Sequence, residues 1–196
     1  MTELNGKVVL ITGAGKGIGR RLAEELAARG AFVALNDISP LNVEELAAGI
    51  HAKGGTVKTY IEDVAKKVGA QTVIKNAEDD FGTIDILINH AAVEPHVPLL
   101  AMDEWDWHRT LDVNLTGAFV TLQSAGRVMK SKGKGVILNL VAGTADGSEK
   151  EAGAYFASKA GLRELSRQAD AELSPHGVRV HAAASFEEAL QILEDA

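Results

Sequence analysis

The chain has 196 residues, which is enough for one domain with a substantial core and too few for two comfortable domains. Hydrophobic residues at 46% and charged residues at 24% are typical of a soluble globular protein and exclude a disordered chain. A net charge of −7 with scattered basic residues lacks the footprint of a nucleic-acid-binding protein, and the absence of cysteine excludes disulfides and thiolate metal sites.

Three further absences narrow the class of protein. The N-terminal stretch has no secretion signal, and no apolar run approaches membrane-spanning length. The six histidines show no recognisable ligand spacing, so we assign no metal. We therefore expect a cytoplasmic protein with a small-molecule partner and with neither nucleic acid nor membrane as partner.

Short apolar runs alternate with helical stretches along the whole chain, which predicts a parallel sheet covered by helices on both faces. The expected fold class is α/β, a doubly wound sheet in a single domain over residues 1–196. The predicted strands cover residues 7–12, 31–36, 56–61, 84–89, 135–141 and 178–183. The predicted helices cover residues 18–30, 41–53, 66–81, 103–111, 113–129 and 153–173, with a short terminal helix in residues 185–196 that Ser185 caps.

A glycine-rich turn follows the first predicted strand and precedes the first helix. Gly13, Gly17 and Gly19 have the spacing G-x-x-x-G-x-G. At such a turn the backbone can approach a pyrophosphate closely, and the helix N-terminus supplies positive potential. A glycine-rich turn without a ligand is the alternative, but the strand before it and the helix after it favour dinucleotide binding.

An acidic residue closes the second predicted strand. Asp37 can accept hydrogen bonds from both adenosine ribose hydroxyls and would repel a 2′-phosphate. This predicts that NAD(H) is the preferred cofactor. Lys16, within the glycine turn, could compensate a phosphate, so NADP(H) stays possible.

Tyr155 and Lys159 are spaced four residues apart and therefore share one face of a helix. A phenol normally has a pKa near 10, and a neighbouring ammonium favours its ionised form. The pair could therefore exchange protons near neutral pH, although Y-x-x-x-K alone is weak evidence.

Six motifs follow one another along the chain: the glycine turn, Asp37, the pair Asp63-Val64, NHAA from Asn89, VNLTG around Asn114, and YFASK from Tyr155. In this order the chain resembles the short-chain dehydrogenase/reductase family from about residue 4 to residue 183. The resemblance implies a Rossmann-type fold and NAD(P)-dependent hydride transfer between nicotinamide and a carbonyl or alcohol substrate. Taken singly, Asp63 could be a helix cap, Asn89 a turn residue and Asn114 a capping amide.

The resemblance also implies the roles of individual residues. Tyr155 would be the general acid and base, Lys159 would lower the pKa of Tyr155 and hold the nicotinamide ribose, and Asn114 would position a water that links Lys159 to solvent. The expected catalytic residues are thus Asn114, Tyr155 and Lys159. The expected cofactor-binding residues are Gly13, Gly15, Lys16, Gly17, Ile18, Gly19, Asp37, Ile38, Asp63, Val64, Asn89, Ala91, Tyr155 and Lys159.

Two departures from the family pattern weaken the expectation of turnover. Ala142 is the expected occupant of the place where the family has a serine that polarises the substrate carbonyl, and Thr144 or Ser148 could substitute for it. The usual substrate-binding segment is also replaced by the short terminal helix, which would leave the pocket open or completed by a neighbouring subunit. A dinucleotide-binding protein without turnover, acting as a sensor, scaffold subunit or remnant, is therefore the alternative function.

Family members commonly assemble through long helices. By resemblance we expect a homodimer or homotetramer that uses residues 113–129 and 153–173.

Overall fold

The computed structural model describes residues 4–141 and 150–195 as a six-stranded parallel sheet between two layers of helices. The sheet order is β3-β2-β1-β4-β5-β6, the doubly wound order of a Rossmann fold. The strands are β1 (Val8–Thr12), β2 (Phe32–Asp37), β3 (Val57–Ile61), β4 (Ile86–Asn89), β5 (Gly135–Leu140) and β6 (Val178–Ala183). The helices are α1 (Gly17–Ala28), α2 (Pro40–Ala52), α3 (Lys67–Phe81), α4 (Glu104–Leu111), α5 (Ala118–Lys132), α6 (Gly153–Leu173) and α7 (Phe186–Asp195). The predicted fold class is confirmed.

Successive residues of the central strands point into different cores. In β1, Val9 and Ile11 belong to the core beneath α1, α2 and α7, whereas Leu10 belongs to the core beneath α3, α5 and α6. All five β1 residues are buried, because helices cover both faces of the sheet. This explains why the inner strands read as near-continuous apolar runs, whereas the edge strands β3 and β6 include exposed residues.

The sheet changes direction between β1 and β4. The chain builds β1, β2 and β3 toward one edge and then returns to place β4 beside β1. The loops that follow β1 and β4 therefore leave in opposite directions and open a crevice at the carboxyl ends of these strands. Ligands of such sheets bind in this crevice, so the fold places the candidate site at this edge of the sheet.

One predicted break between helices is wrong. The helices predicted over residues 103–111 and 113–129 are continuous, because a π-helical segment, Asp112–Gly117, joins α4 to α5. Most other element ends lie within two residues of the prediction; β4, for example, begins at Ile86, and the largest difference is at α5, which ends at Lys132, three residues beyond its predicted end. A π-helical insertion leaves the apolar pattern of both flanking helices intact, so the pattern alone suggested two helices.

The predicted terminal helix is present as α7. Ser185 Oγ accepts a hydrogen bond from the Glu188 amide at 3.1 Å, as expected of its N-cap. Ala189 and Leu193 are buried in the core shared with α1 and α2. Within the described residues, the helices are too short or too polar to cross a membrane.

Candidate functional site

A cleft of about 870 Å³ occupies the crevice at the carboxyl ends of β1 to β4. Nine of the predicted cofactor-binding residues line it. These are Gly13, Lys16, Gly17, Asp37, Ile38, Asp63, Val64, Ala91 and Tyr155. Residues separated by more than a hundred positions in the sequence thus meet at one edge of the sheet.

The glycine turn lies closely against the loop that follows β4. Gly13 has a φ of +65°, and a Cβ on it would lie 2.6 Å from the Ala91 Cα. Gly17 also has a positive φ, of +60°. Side chains at these positions would be strained, and at Gly13 there is no space for one. The chain therefore needs glycine here for its own packing as well as for any ligand.

The first turn of α1 can accept an anion. The N-cap residue Lys16 makes no side-chain hydrogen bond to the helix, and the first turn carries no acidic residue. The amides of this turn and the positive end of the helix therefore face a negative ligand without competition from a carboxylate. A pyrophosphate fits the residues present.

Asp37 is fixed beside this turn. One carboxylate oxygen accepts a hydrogen bond from the Gly15 amide at 2.8 Å, and the other accepts one from the Ser39 amide at 2.9 Å. A Cβ on Gly15 would lie 2.8 Å from Asp37 Oδ2. The carboxylate is therefore held at a set distance from the loop and lines the cleft.

Asp63 and Val64 follow β3 on the same side of the cleft. Asp63 accepts a hydrogen bond from the Ala65 amide at 3.0 Å, and its other oxygen lies 3.6 Å from Arg109 Nη1. Arg109 comes from α4, so this ion pair connects two walls of the cleft. Arg109 was not predicted from the sequence, because its partner Asp63 is 46 positions away.

Tyr155 and Lys159 lie on consecutive turns of α6, as their spacing predicts. Tyr155 lines the cleft, and Lys159 Nζ lies 5.7 Å from the centre of its ring. Lys159 is 5% exposed and donates a hydrogen bond to the Leu140 carbonyl at 2.8 Å. Burial lowers the pKa of Lys159 to about 8, and the negative charge of Glu94 partly opposes this shift. A buried cation one turn from a phenol favours the phenolate.

Asn114 lies in the π-helical segment and is 1% exposed. Its side chain accepts from the Val93 amide at 2.8 Å and donates to the Val93 carbonyl at 2.9 Å. It also donates to Ser158 Oγ at 3.0 Å, and Ser158 is on α6 between Tyr155 and Lys159. The amide therefore joins the loop after β4 to the helix that carries the expected acid and base.

The Asn89 side chain lies beneath the cleft, not in its wall. It donates to Asn139 Oδ1 at 2.9 Å and accepts from Thr121 Oγ1 at 2.7 Å. Asn139 in turn donates to Ser166 Oγ at 2.9 Å. These four polar side chains, all buried, connect β4, β5, α5 and α6. The two residues that follow Asn89 in the sequence, His90 and Ala91, line the cleft instead.

The remaining predicted residues are placed as follows. Ile18 and Gly19 lie in the first turn of α1, and Gly15 lies beside Asp37. Ala142, Thr144 and Ser148 are outside the described residues. In the described ranges 4–141 and 150–195, no three histidine or acidic side chains are grouped to hold a metal ion.

Comparison with known proteins decides the family. The protein-family model for short chain dehydrogenases matches residues 7–185. The chain belongs to the short-chain dehydrogenase/reductase family.

Three relatives of this family illustrate the range of names. A D-threitol dehydrogenase of Mycolicibacterium smegmatis is 36% identical over 179 residues, which cover 91% of this chain and 69% of that protein. A xylitol dehydrogenase solved with bound NAD⁺ has a TM-score of 0.87 at 31% identity, covering 97% of this chain and 76% of the other. A metagenomic short-chain oxidoreductase solved with NADP has a TM-score of 0.91 at 27% identity, covering 100% and 93%. These similarities support an oxidoreductase with a nicotinamide cofactor. The cofactors named in the similar structures include both NAD⁺ and NADP.

Proposed function

We propose that the protein interconverts an alcohol and a carbonyl compound by NAD(P)-dependent hydride transfer, with Tyr155 as the general acid and base. One observation carries the proposal: the Tyr155 phenol is in the cleft wall and the buried Lys159 ammonium lies one helical turn away. The named dehydrogenases among the relatives support the same reaction class.

The cleft residues indicate how the cofactor would be held. The α1 amides would bind the pyrophosphate, Asp37 the adenosine ribose, and Asp63 and Val64 the adenine. That groove would be shaped by the remaining predicted residues, which are Gly13, Gly15, Lys16, Gly17, Ile18, Gly19, Ile38 and Ala91, with Asn89 supporting it from beneath. When bound, the nicotinamide supplies the hydride donor or acceptor. We propose NAD(H) as the preferred cofactor because Asp37 places a negative charge at the ribose position.

Tyr155 would manage the proton. In reduction its hydroxyl donates a proton to the carbonyl oxygen, and in oxidation its phenolate accepts the proton of the alcohol. Lys159 stabilises the phenolate by its charge, and the Leu140 carbonyl holds Nζ in place. We keep Asn114 as the third catalytic residue, acting on the proton relay to solvent, while its amide fixes Val93 and Ser158 around the site.

The quaternary structure and location expected from the sequence stay predictions. Phe119, in one of the helices expected to take part in self-association, is 42% exposed. A homodimer or homotetramer in the cytoplasm is the proposed state.

Substitution of the phenol tests the reaction. Purified protein is assayed for NADH and NADPH oxidation with ketones and 3-oxoacyl esters, and for NAD⁺ reduction with D-threitol and xylitol. We expect Tyr155→Phe to lower turnover by at least about 100-fold, the lower range for losing a positioned proton donor. Dinucleotide binding, followed by NADH fluorescence, should stay within about threefold of the original protein because the ring itself is retained.

The chain offers a matched control, since it has two tyrosines. Tyr60 donates to Asp80 at 2.9 Å, away from the cleft, so Tyr60→Phe should leave turnover unchanged. Equal activity of Tyr155→Phe and the original protein would contradict the assigned role. Cofactor binding with no turnover on the whole panel would instead favour the non-catalytic alternative.

A further inference from the structure

His90 occupies a position between the glycine turn and the loop after β4 that the proposed reaction does not use. Its Nδ1 lies 2.9 Å from the Gly13 carbonyl oxygen. The backbone amides of His90 and Ala91 both donate to Thr12 Oγ1 at 3.2 Å. Three hydrogen bonds therefore fasten the end of β4 to the turn that follows β1.

The Gly13 carbonyl assigns the tautomer of the ring. A carbonyl oxygen can only accept, so Nδ1 must carry the hydrogen and donate it. In the neutral ring Nε2 is then free of hydrogen. His90 thus supplies to the turn a donor that an apolar side chain could not supply.

The ring also fills the space beneath the glycine turn. A Cβ built on Gly19 would lie 2.5 Å from His90 Nδ1, and one built on Gly17 would lie 3.5 Å from Nε2. Gly19 is in the first turn of α1 and has a negative φ, so alanine there is opposed by the ring, and also by the Gly13 carbonyl oxygen at 3.0 Å, and not by backbone strain. The shape of the turn and the position of the ring depend on each other.

The ring provides this support without adding charge. Burial lowers the pKa of His90, and the nearby Lys159 and Lys16 lower it further, against the opposing effects of Asp37 and of the bond to Gly13. The ring is therefore neutral at pH 7.

We propose that His90 is a positioning residue for the dinucleotide: its ring donates to the Gly13 carbonyl, fills the space beside Gly19, and so holds the glycine turn in the shape that binds a pyrophosphate. The inference rests on the dinucleotide binding in the proposed function but not on the chemistry of Tyr155. It names a residue that determines cofactor affinity without taking part in proton transfer.

Binding of NADH and of ADP-ribose to His90→Ala and His90→Asn tests the donor. We expect His90→Ala to weaken both by at least about tenfold, the equivalent of about 1.4 kcal/mol. His90→Asn should recover most of the loss because an amide can also donate to the Gly13 carbonyl. In turnover assays the KM for the dinucleotide should rise while kcat at saturation is retained. His51→Ala, an exposed histidine on α2, is the control and should change neither.

A double-mutant cycle with Gly19→Ala tests the contact itself. In the original protein Gly19→Ala should weaken NADH binding by at least about tenfold, because the new methyl group meets the ring. In the His90→Ala background the same change should cost at least about threefold less than in the original protein, because the methyl group enters the space that the ring has left and only the contact with the Gly13 carbonyl oxygen remains. If His90→Ala does not fold, as judged by thermal unfolding, His90→Asn provides the second background.

The outcomes separate this inference from the proposed function. If the original protein binds no dinucleotide, the proposed function fails. If the original protein binds it and His90→Ala binds it equally well, or if Gly19→Ala costs the same in both backgrounds, only the role of His90 is overturned.

Discussion

Two carboxylates, those of Asp37 and Glu94, lie at different ends of the cleft. We therefore expect them to affect different steps, cofactor selection and proton transfer. Asp37 lies beside the glycine turn, where a dinucleotide's adenosine half would bind. Glu94 lies on the loop after β4, and its charge acts on Lys159. At the scale of single residues, one carboxylate should therefore select the cofactor and the other should adjust the pH range of the reaction.

We expect Asp37→Asn to reduce the preference for NADH over NADPH. The amide keeps the size of the side chain but removes the charge that would repel a 2′-phosphate. The dissociation constant for NADPH divided by that for NADH should fall by about tenfold or more, and fluorescence titration measures both constants. Because damage to the hydrogen bonds with Gly15 and Ser39 affects both cofactors alike, it cancels in the ratio. An unchanged ratio would remove Asp37 as the selector.

The pKa of Lys159, about 8, predicts the alkaline limit of activity. Above that pH the amine is neutral and no longer stabilises the phenolate, so kcat/KM for the dinucleotide, which reports the free enzyme, should fall. Removing the negative charge of Glu94 lowers the pKa of Lys159 further. Glu94→Gln should therefore move this fall to lower pH.

Glu44 on α2 provides the control for that pH profile. It is exposed on a helix remote from Lys159, so Glu44→Gln removes the same charge and should leave the pH at which kcat/KM falls unchanged. The alkaline fall in kcat/KM could shift equally in both variants, or it could stay in place in Glu94→Gln. Either result would contradict the assignment of this fall to Lys159.

At the scale of elements, the sequence predicted the features that follow from a regular pattern of residues. It missed the features that such a pattern does not record. All six predicted strands are present: the inner strands are near-continuous apolar runs because both of their faces are buried, whereas the edge strands β3 and β6 carry exposed residues among the buried ones. The spacing of Tyr155 and Lys159 predicted their shared helix face, because helix geometry fixes neighbours four residues apart. The π-helical segment escaped prediction because it leaves the apolar pattern of its flanking helices intact. The positions of the Asn89 and His90 side chains escaped prediction because they depend on contacts between residues distant in sequence, such as Asn89 with Asn139.

The buried polar network beneath the cleft should contribute measurably to stability. Thr121 Oγ1 on α5 lies 2.7 Å from Asn89 Oδ1, to which it donates, and 3.0 Å from the carbonyl oxygens of Gly117 and Ala118. Thr121→Val keeps the shape but removes this donor inside the core. We expect a loss of about 1–3 kcal/mol in the free energy of unfolding, measured by urea denaturation. Thr110→Val is the matched control, because Thr110 is also buried but donates to Asp106 of its own helix. Equal losses would show that the network adds nothing beyond a local helix bond.

At the scale of the whole molecule, the helices divide into two layers with different tasks. The layer of α3, α5 and α6 carries Tyr155 and Lys159, whereas the layer of α1, α2 and α7 carries the glycine turn. Within residues 4–141 and 150–195, both layers pack on the sheet, and the loops at its carboxyl edge bring the glycine turn and Tyr155 to the same cleft. The position of the turn relative to the phenol therefore depends on how firmly each layer packs on the sheet.

The terminal helix α7 belongs to the layer that supports the cofactor half. Leu193 is 2% exposed in the core that contains α1, and Arg29, which follows α1, lies 2.6 Å from Glu194. We expect Leu193→Ala to cost about 2–4 kcal/mol in the free energy of unfolding, because it leaves a cavity beneath α1. Urea denaturation measures this loss, and Gln191→Ala on the exposed side of the same helix should change stability by less than about 0.5 kcal/mol.

The same pair of variants separates packing from chemistry. Because Leu193 is remote from the cleft lining, its loss should lower stability without changing kcat where the protein remains folded. The dinucleotide binds only the folded state, so saturating NADH should raise the unfolding midpoint of Leu193→Ala as it does that of the original protein. If stability falls by no more than it does in Gln191→Ala, α7 is not part of the core. If stability is kept and NADH binding is lost, α7 acts on the glycine turn directly.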